Sequence, residues 1–175
     1  MALEHALLVS LREKPAAGLE LARRFDKSIG FFWSATHQQI YRVLHRMAAD
    51  GWVIGEAGES RKDTTIYSVT PLGEKVLAEW IAESTPRESF RSDLAVKMRA
   101  ASFGDRAALI ADIERRIGEH SVRLAHYRSL MARDYPHPKK LTGRELDQYL
   151  VLRGGMRVEE FWIQWLTEYV EAHEQ

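Results

Sequence analysis

The sequence predicts a mainly α-helical protein in two parts. Residues 1–83 read as a winged helix-turn-helix with a two-stranded wing, and residues 92–175 as a C-terminal domain of long helices suited to dimerisation. Three observations predict this. The first half orders its segments as three helices, a β-hairpin and a fourth helix. A polar, turn-rich stretch from Ser84 to Ser92 follows. Beyond it, hydrophobic spacing is helical almost to the end.

Each element has its own signal. Leu3, Ala6, Leu7, Val9, Ser10 and Leu11 follow a helical period over residues 2–13, and Pro15 closes the segment. After Gly18, Leu19, Leu21, Ala22 and Phe25 form an apolar face, which Gly30 interrupts. Phe31, Phe32 and Trp33 precede Ser34. Ile40, Val43, Leu44 and Met47 then fall at i, i+3, i+4 and i+7, which predicts a helix capped by Ser34 or Thr36 and ended by Asp50-Gly51. Trp52 to Ile54 and the alternating Thr65 to Thr70 predict the two strands of a hairpin, with Arg61 and Lys62 at its tip. Thr70 followed by Pro71 starts a helix through about Ile81. In the second part, Leu94 to Ala101 is a short helix, and Asp105 caps a long one reaching about Asp134. Ile110, Ile113, Ile117, His120, Leu124, Tyr127 and Met131 make its seam. Thr142 and Glu145 predict a capping box opening a last helix to about Glu171. Gly154-Gly155 in its middle is unfavourable for helix formation and points to close packing or a kink.

Composition narrows the function classes. Twenty-five basic residues balance twenty-five acidic ones, 45% of residues are apolar and cysteine is absent. Disulfides, thiolate metal sites and cysteine nucleophiles are excluded. No apolar run reaches membrane-span length, and the N-terminus lacks the pattern of a secretory signal, so a cytoplasmic protein is expected. Zero net charge argues against binding nucleic acid by bulk charge. The charge is uneven, however. Residues 23–46 carry Arg23, Arg24, Lys27, Arg42 and Arg46 against Asp26 alone, and residues 47–90 are net acidic.

The predicted third helix is narrow enough to enter a DNA major groove, with the wing beside it. Thr36, His37, Gln38, Gln39 and Arg42 lie near its start, where a docked helix meets base edges. Gln suits adenine and Arg suits guanine. Arg23, Arg24, Lys27, Arg46, Arg61 and Lys62 are placed to meet phosphates. In the second part, Phe161, Trp162, Trp165 and Tyr169 recur at helical spacing. They fit a dimer interface, with an intramolecular core as the alternative. Trp33, His126, Tyr127 and Trp162 are candidates for a pocket holding a flat organic effector, against the alternative that each is packing. The histidines show no metal-binding spacing, and no cofactor is expected. Nucleophile elbows, P-loops and dinucleotide turns are absent, so an enzyme is not expected.

Several segments resemble the PadR family of bacterial transcriptional regulators. Leu3 to Leu11 with Gly18-Leu19-Glu20-Leu21 is similar to the family's first helix and the opening of its second, although Leu19 stands where Tyr is usual. Phe32-Trp33-Ser34 with Gln39-Ile40-Tyr41-Arg42-Val43-Leu44 resembles its recognition-helix segment and adds Ser34 and Tyr41 to the DNA-facing set. Asp50-Gly51-Trp52-Val53 resembles the start of its wing, and Tyr67 to Gly73 the strand-to-helix exit. Arg61 to Thr65 is a looser version of the family's basic wing tip. Leu152 to Gly155 with Glu160 to Leu166 resembles the last helix of its larger C-terminal domain. The resemblance implies a homodimeric repressor of a pseudopalindromic operator, in some members released by a phenolic or other small aromatic compound. The alternative is a winged-helix adaptor that binds protein without DNA.

Overall fold

A computed structural model describes residues 2–26, 35–57, 65–85 and 91–174. The chain divides into two compact units, Met1–Arg87 and Glu88–Gln175. Lys27, Trp33, Ser34, Arg61 and Lys62 lie outside the described residues. No described helix is long and apolar enough to cross a membrane.

The first unit contains α1 (Ala2–Glu13), β1 (Ala16–Ala17), α2 (Gly18–Asp26), α3 (His37–Ala49), β2 (Val53–Ala57), β3 (Thr65–Val69) and α4 (Pro71–Ala82). Its core gathers Leu7, Leu8 and Leu11 of α1, Leu21 and Ala22 of α2, and Ile40, Val43, Leu44 and Met47 of α3. Ala16, Val53 and Leu77 complete it. The four α3 residues are those the sequence period selects. Leu19 does not join them: it is 45% exposed, because Leu21 and Ala22 already fill the face of α2 that meets the core.

The sheet differs from the expected hairpin. β2 and β3 pair antiparallel, with Val53 opposite Val69 and Ala57 opposite Thr65. A third strand, β1, pairs with the other edge of β3, Ala16 opposite Tyr67. Two alanines carry no strand signal of their own; the free edge of β3 supplies their hydrogen-bond partners.

Helix ends follow capping chemistry. At the end of α3, Gly51 adopts φ +73°. Its N–H donates to the Ala48 carbonyl at 3.1 Å, and the Trp52 N–H to Met47 at 2.9 Å. Glycine tolerates this left-handed turn, which satisfies two orphan carbonyls and sends the chain into β2. At the start of α4, the Thr70 hydroxyl accepts the Gly73 N–H at 3.1 Å and reaches the Gly51 carbonyl at 2.6 Å. This pulls the first turn of α4 onto the root of the wing. A Cβ on Gly73 would stand 2.1 Å from the Trp52 carbonyl oxygen, so only glycine fits.

The second unit contains α5 (Asp93–Arg99), α6 (Arg106–Asp134) and α7 (Gly143–Glu171), with short 3₁₀ turns at Ala101–Phe103 and Pro138–Lys140. Ser92 and Asp105 cap α5 and α6 through their side chains. The expected capping box at Thr142 and Glu145 does not form; the Thr142 side chain makes no cap hydrogen bond. Gly143 follows it at φ +53°, and that left-handed turn takes the hydroxyl away from the first turn of α7. α6 and α7 pack along the predicted seam, with Ile113, Leu124 and Tyr127 buried against a face of α7 that includes Gly155, Glu159, Leu166 and Val170. α7 runs unbroken through Gly154, where a Cβ would meet nothing within 4 Å. Close packing inside the chain therefore does not account for that glycine.

Gly73→Ala is expected to destabilise the first unit by about 1–3 kcal/mol, because the methyl group meets rigid backbone. Thermal unfolding checks this, and a melting temperature equal to that of the parent protein would show that α4 moves away at no cost.

Candidate nucleic-acid interface

The site begins with what α3 buries. Ile40, Val43, Leu44 and Met47 face the core, so residues half a turn away must face solvent. Those residues are Gln38, Tyr41, Arg42 and His45, at i, i+3, i+4 and i+7, and all are exposed. His45 lies two turns beyond the helix start that the sequence singles out for base contacts. The 3/4 spacing from Gln38 was the signal that would have found it.

The start of α3 is fixed by a capping box. The Thr36 hydroxyl accepts the Gln39 N–H at 3.2 Å, and the Gln39 carboxamide oxygen accepts the Thr36 N–H at 2.8 Å. Two backbone donors are satisfied, which sets the direction in which α3 leaves the preceding turn. Gln39 thereby commits its acceptor oxygen within the chain, and a bidentate contact to adenine would require the cap to open. His37 and Gln38 stay exposed on the same turn.

Tyr41 has a dual position. Its ring covers Gly18 at the start of α2, so closely that a Cβ on Gly18 would lie 2.4 Å from the ring. The side of the ring away from Gly18 faces solvent, leaving Tyr41 37% exposed. It packs the two helices of the helix-turn-helix together and borders the outward face.

The basic residues separate into two groups. Arg42 is exposed and makes no ion pair among the described residues. Arg46, by contrast, is paired with the buried carboxylate of Glu4 on α1. Arg24 is also engaged. Its guanidinium donates to the carbonyls of Ser10 at 3.2 Å and Lys14 at 2.6 Å, and to Glu20 at 2.8 Å. It caps the end of α1, which explains why it is not free for the phosphate role the sequence suggested. Arg23 is exposed.

In the second unit, Phe161, Trp162 and Trp165 come together, with ring centroids 5.4–5.9 Å apart. Trp162, Trp165 and Tyr169 are half-buried against the unit's own core, and the Tyr169 hydroxyl donates to the Met98 carbonyl at 3.0 Å. Phe161 points outward and is 53% exposed. It continues an exposed apolar stripe of Leu150, Val151 and Val158 on α7. On α6, Val122 is exposed in a shallow groove with Arg115, Gly118, Glu119, Arg123 and His126.

Of the four effector candidates, Trp33 lies outside the described residues, and His126, Tyr127 and Trp162 take different positions in the second unit. His126 lies on the α6 groove. Its neighbour Tyr127 is buried in the seam, where desolvation first, and the charge of Glu159 second, push its phenol above the usual tyrosine range. Trp162 stacks on His120 at 5.6 Å. His120 in turn meets Glu159 through Nδ1 at 2.5 Å, and Arg123 donates to the other carboxylate oxygen at 3.2 Å. Glu159 is thus a buried anion with two partners, the arrangement that makes such burial tolerable. Among the described residues no three His, Asp or Glu side chains form a metal-binding group.

Comparison with known proteins matches both units. Residues 7–79 fit the PadR-like transcriptional regulator family, and residues 90–174 fit the C-terminal region of virulence activator alpha. A probable transcriptional regulator of Mycobacterium tuberculosis is 46% identical over 98% of this chain and 97% of its own. The virulence activator AphA of Vibrio cholerae superposes with a TM-score of 0.83 at 30% identity, covering 98% of each chain. Bacillus subtilis PadR in complex with operator DNA gives 0.83 at 20% identity, covering 98% of this chain and 99% of its own. In complex with p-coumaric acid the same protein gives 0.81 at 20% identity over the whole of both chains.

Thr36→Ala is expected to cost about 1 kcal/mol by releasing the cap of α3, whereas Thr36→Ser retains it. Chemical denaturation distinguishes the two; equal midpoints for all three proteins would show that the cap does not hold the helix start.

Proposed function

The chain belongs to the PadR-like family of transcriptional regulators, and from that premise we propose that it is a homodimeric repressor whose α3 reads the major groove of each half of a pseudopalindromic operator. One observation carries the proposal. The face of α3 opposite the core presents Gln38, Arg42 and His45 in a row, with Tyr41 beside them. A bidentate Arg–guanine or Gln–adenine contact needs a side chain free at both of its polar atoms, and no described partner occupies Gln38 or Arg42. The relative solved with operator DNA supports the same mode of use.

Dimerisation is supported by the surface of the second unit. Leu150, Val151, Val158 and Phe161 give α7 an exposed apolar stripe beyond the shared seam, and Val122 on α6 is exposed as well. A second copy covers such a stripe by two-fold symmetry and brings two α3 helices to two half-sites. The first unit then serves as the DNA-binding domain and the second as the dimerisation domain. Occupancy of an operator overlapping a promoter excludes the polymerase, which makes repression the expected consequence. Release by a small aromatic or phenolic compound completes the proposal, supported by the relative solved with p-coumaric acid. The work of such a regulator lies in the cytoplasm, where the DNA is.

Gln38→Ala, Arg42→Ala and His45→Ala are each expected to lower discrimination between the duplex upstream of the chain's own gene and a scrambled duplex by about 1–3 kcal/mol. Mobility-shift titrations measure this. Equal losses on both duplexes would make these side chains phosphate contacts, and equal parental affinity for both duplexes would remove the claim of sequence specificity. The same titration with p-coumaric acid present reads the effector part, with weakened binding expected.

A further inference from the structure

Glu4 and Arg46 form an ion pair that the DNA-binding reading does not by itself require. We infer that Glu4 is a positioning residue that sets the strength of sequence-independent DNA binding: its carboxylate occupies Arg46 in place of a DNA phosphate and so withholds one phosphate contact per protomer. The inference rests on the proposal that α3 binds DNA.

The geometry carries it. The Glu4 side chain is only 6% exposed, whereas that of Arg46 is 46% exposed. One partner is therefore fixed in the protein, and the other stands at the surface. Arg46 follows Arg42 by one helical turn on α3, so both guanidinium groups project from the same side of the reading helix. Arg42 has no ion-pair partner among the described residues, and Arg46 has one. For Arg46 to leave for a phosphate, Glu4 would become an unpaired carboxylate in an apolar surrounding, a heavily penalised state. Its neighbours make that surrounding clear. Leu7 and Leu8, one turn along α1 from Glu4, are fully buried, and Glu4 itself is 5% exposed.

Two consequences follow. Arg46 adds little to the phosphate contacts that give every duplex the same affinity. Arg42 then dominates the cationic contribution of α3, at a place where base edges rather than phosphates are opposite it. Removing one indiscriminate contact per protomer lowers affinity for every duplex by the same factor and leaves base readout untouched, so the protein is held less tightly on DNA of any sequence and its binding depends less on salt.

The test uses the full-length chain, the duplex upstream of its own gene and a scrambled duplex of equal length, with binding measured across a salt series. Glu4→Gln is expected to tighten binding to both duplexes by the same several-fold factor and to steepen the dependence of log affinity on log salt by about 0.9 for each Arg46 released. Arg46→Gln in the parental background is expected to leave that slope unchanged, and the double substitution to abolish the gain. An unchanged slope in folded Glu4→Gln protein overturns the inference. So does a shallower slope for Arg46→Gln alone, which would mean that Arg46 already contacts phosphate. Circular dichroism verifies folding, and if Glu4→Gln fails to fold, the Arg46→Gln slope decides. A parental protein that binds neither duplex overturns the DNA-binding reading, a result distinct from any of these.

Discussion

The burial of one face of α3 beneath α1 is the constraint from which the first unit follows. Leu7, Leu8 and Leu11 meet Ile40, Leu44 and Met47, and none of the six is more than marginally accessible. Each such side chain contributes roughly 1.5–3 kcal/mol relative to exposure, so α3 cannot rotate about its axis without losing most of the core. Its outward residues are fixed as a result. The same α1 also packs on α2, α4 and β3, and its first turn binds the end of α3 through Glu4 and the α4 side of the unit through His5. The proposed reading role of α3 needs rigid presentation, and α1 supplies it. The wing root adds a second restraint, since Thr70 and Gly73 fasten α4 to the carbonyls that end the α3–β2 turn.

The second unit solves a different problem. Two helices of 29 residues each have more apolar surface than one seam can cover. Their shared face is closed by Ile113, Leu124, Tyr127, Leu166 and Val170, with the buried Glu159 held at its edge by half-buried His120 and exposed Arg123. A register shift of the hairpin would separate Glu159 from both partners, so the polar group favours a single register where an all-apolar seam would tolerate several. What remains outside the seam on α7 is a stripe of Leu150, Val151, Val158 and Phe161.

Much of this was legible in the sequence wherever a residue's role depends on near neighbours. The α3 core face, the Gly51 stop, the Thr70 and Asp105 caps and the α6 seam are all set by spacing over one or two turns. Roles set by distant partners were not legible. Arg24 and Arg46 read as phosphate contacts because nothing in their vicinity in sequence announces the α1 carbonyls or Glu4. The two alanines of β1 become a strand only beside β3. Gln39 read as a base contact, and its use in the cap became apparent only once Thr36 was fixed as the helix start. The missing Thr142 cap shows the same limit at shorter range, because a left-handed Gly143 redirects a sequence pattern that otherwise suits a capping box.

The central claim is that the outward face of α3 lies against base pairs, presented there by the core behind it. The absence of cysteine makes a direct measurement possible: a DNA-cleaving iron chelate attached to the single thiol of His45→Cys, bound to the duplex upstream of the chain's own gene. The account predicts strand scission confined to two clusters related by two-fold symmetry, with centres about one helical turn or a multiple of it apart. Scission no more localised than that from a chelate on Glu114→Cys of α6 would contradict it.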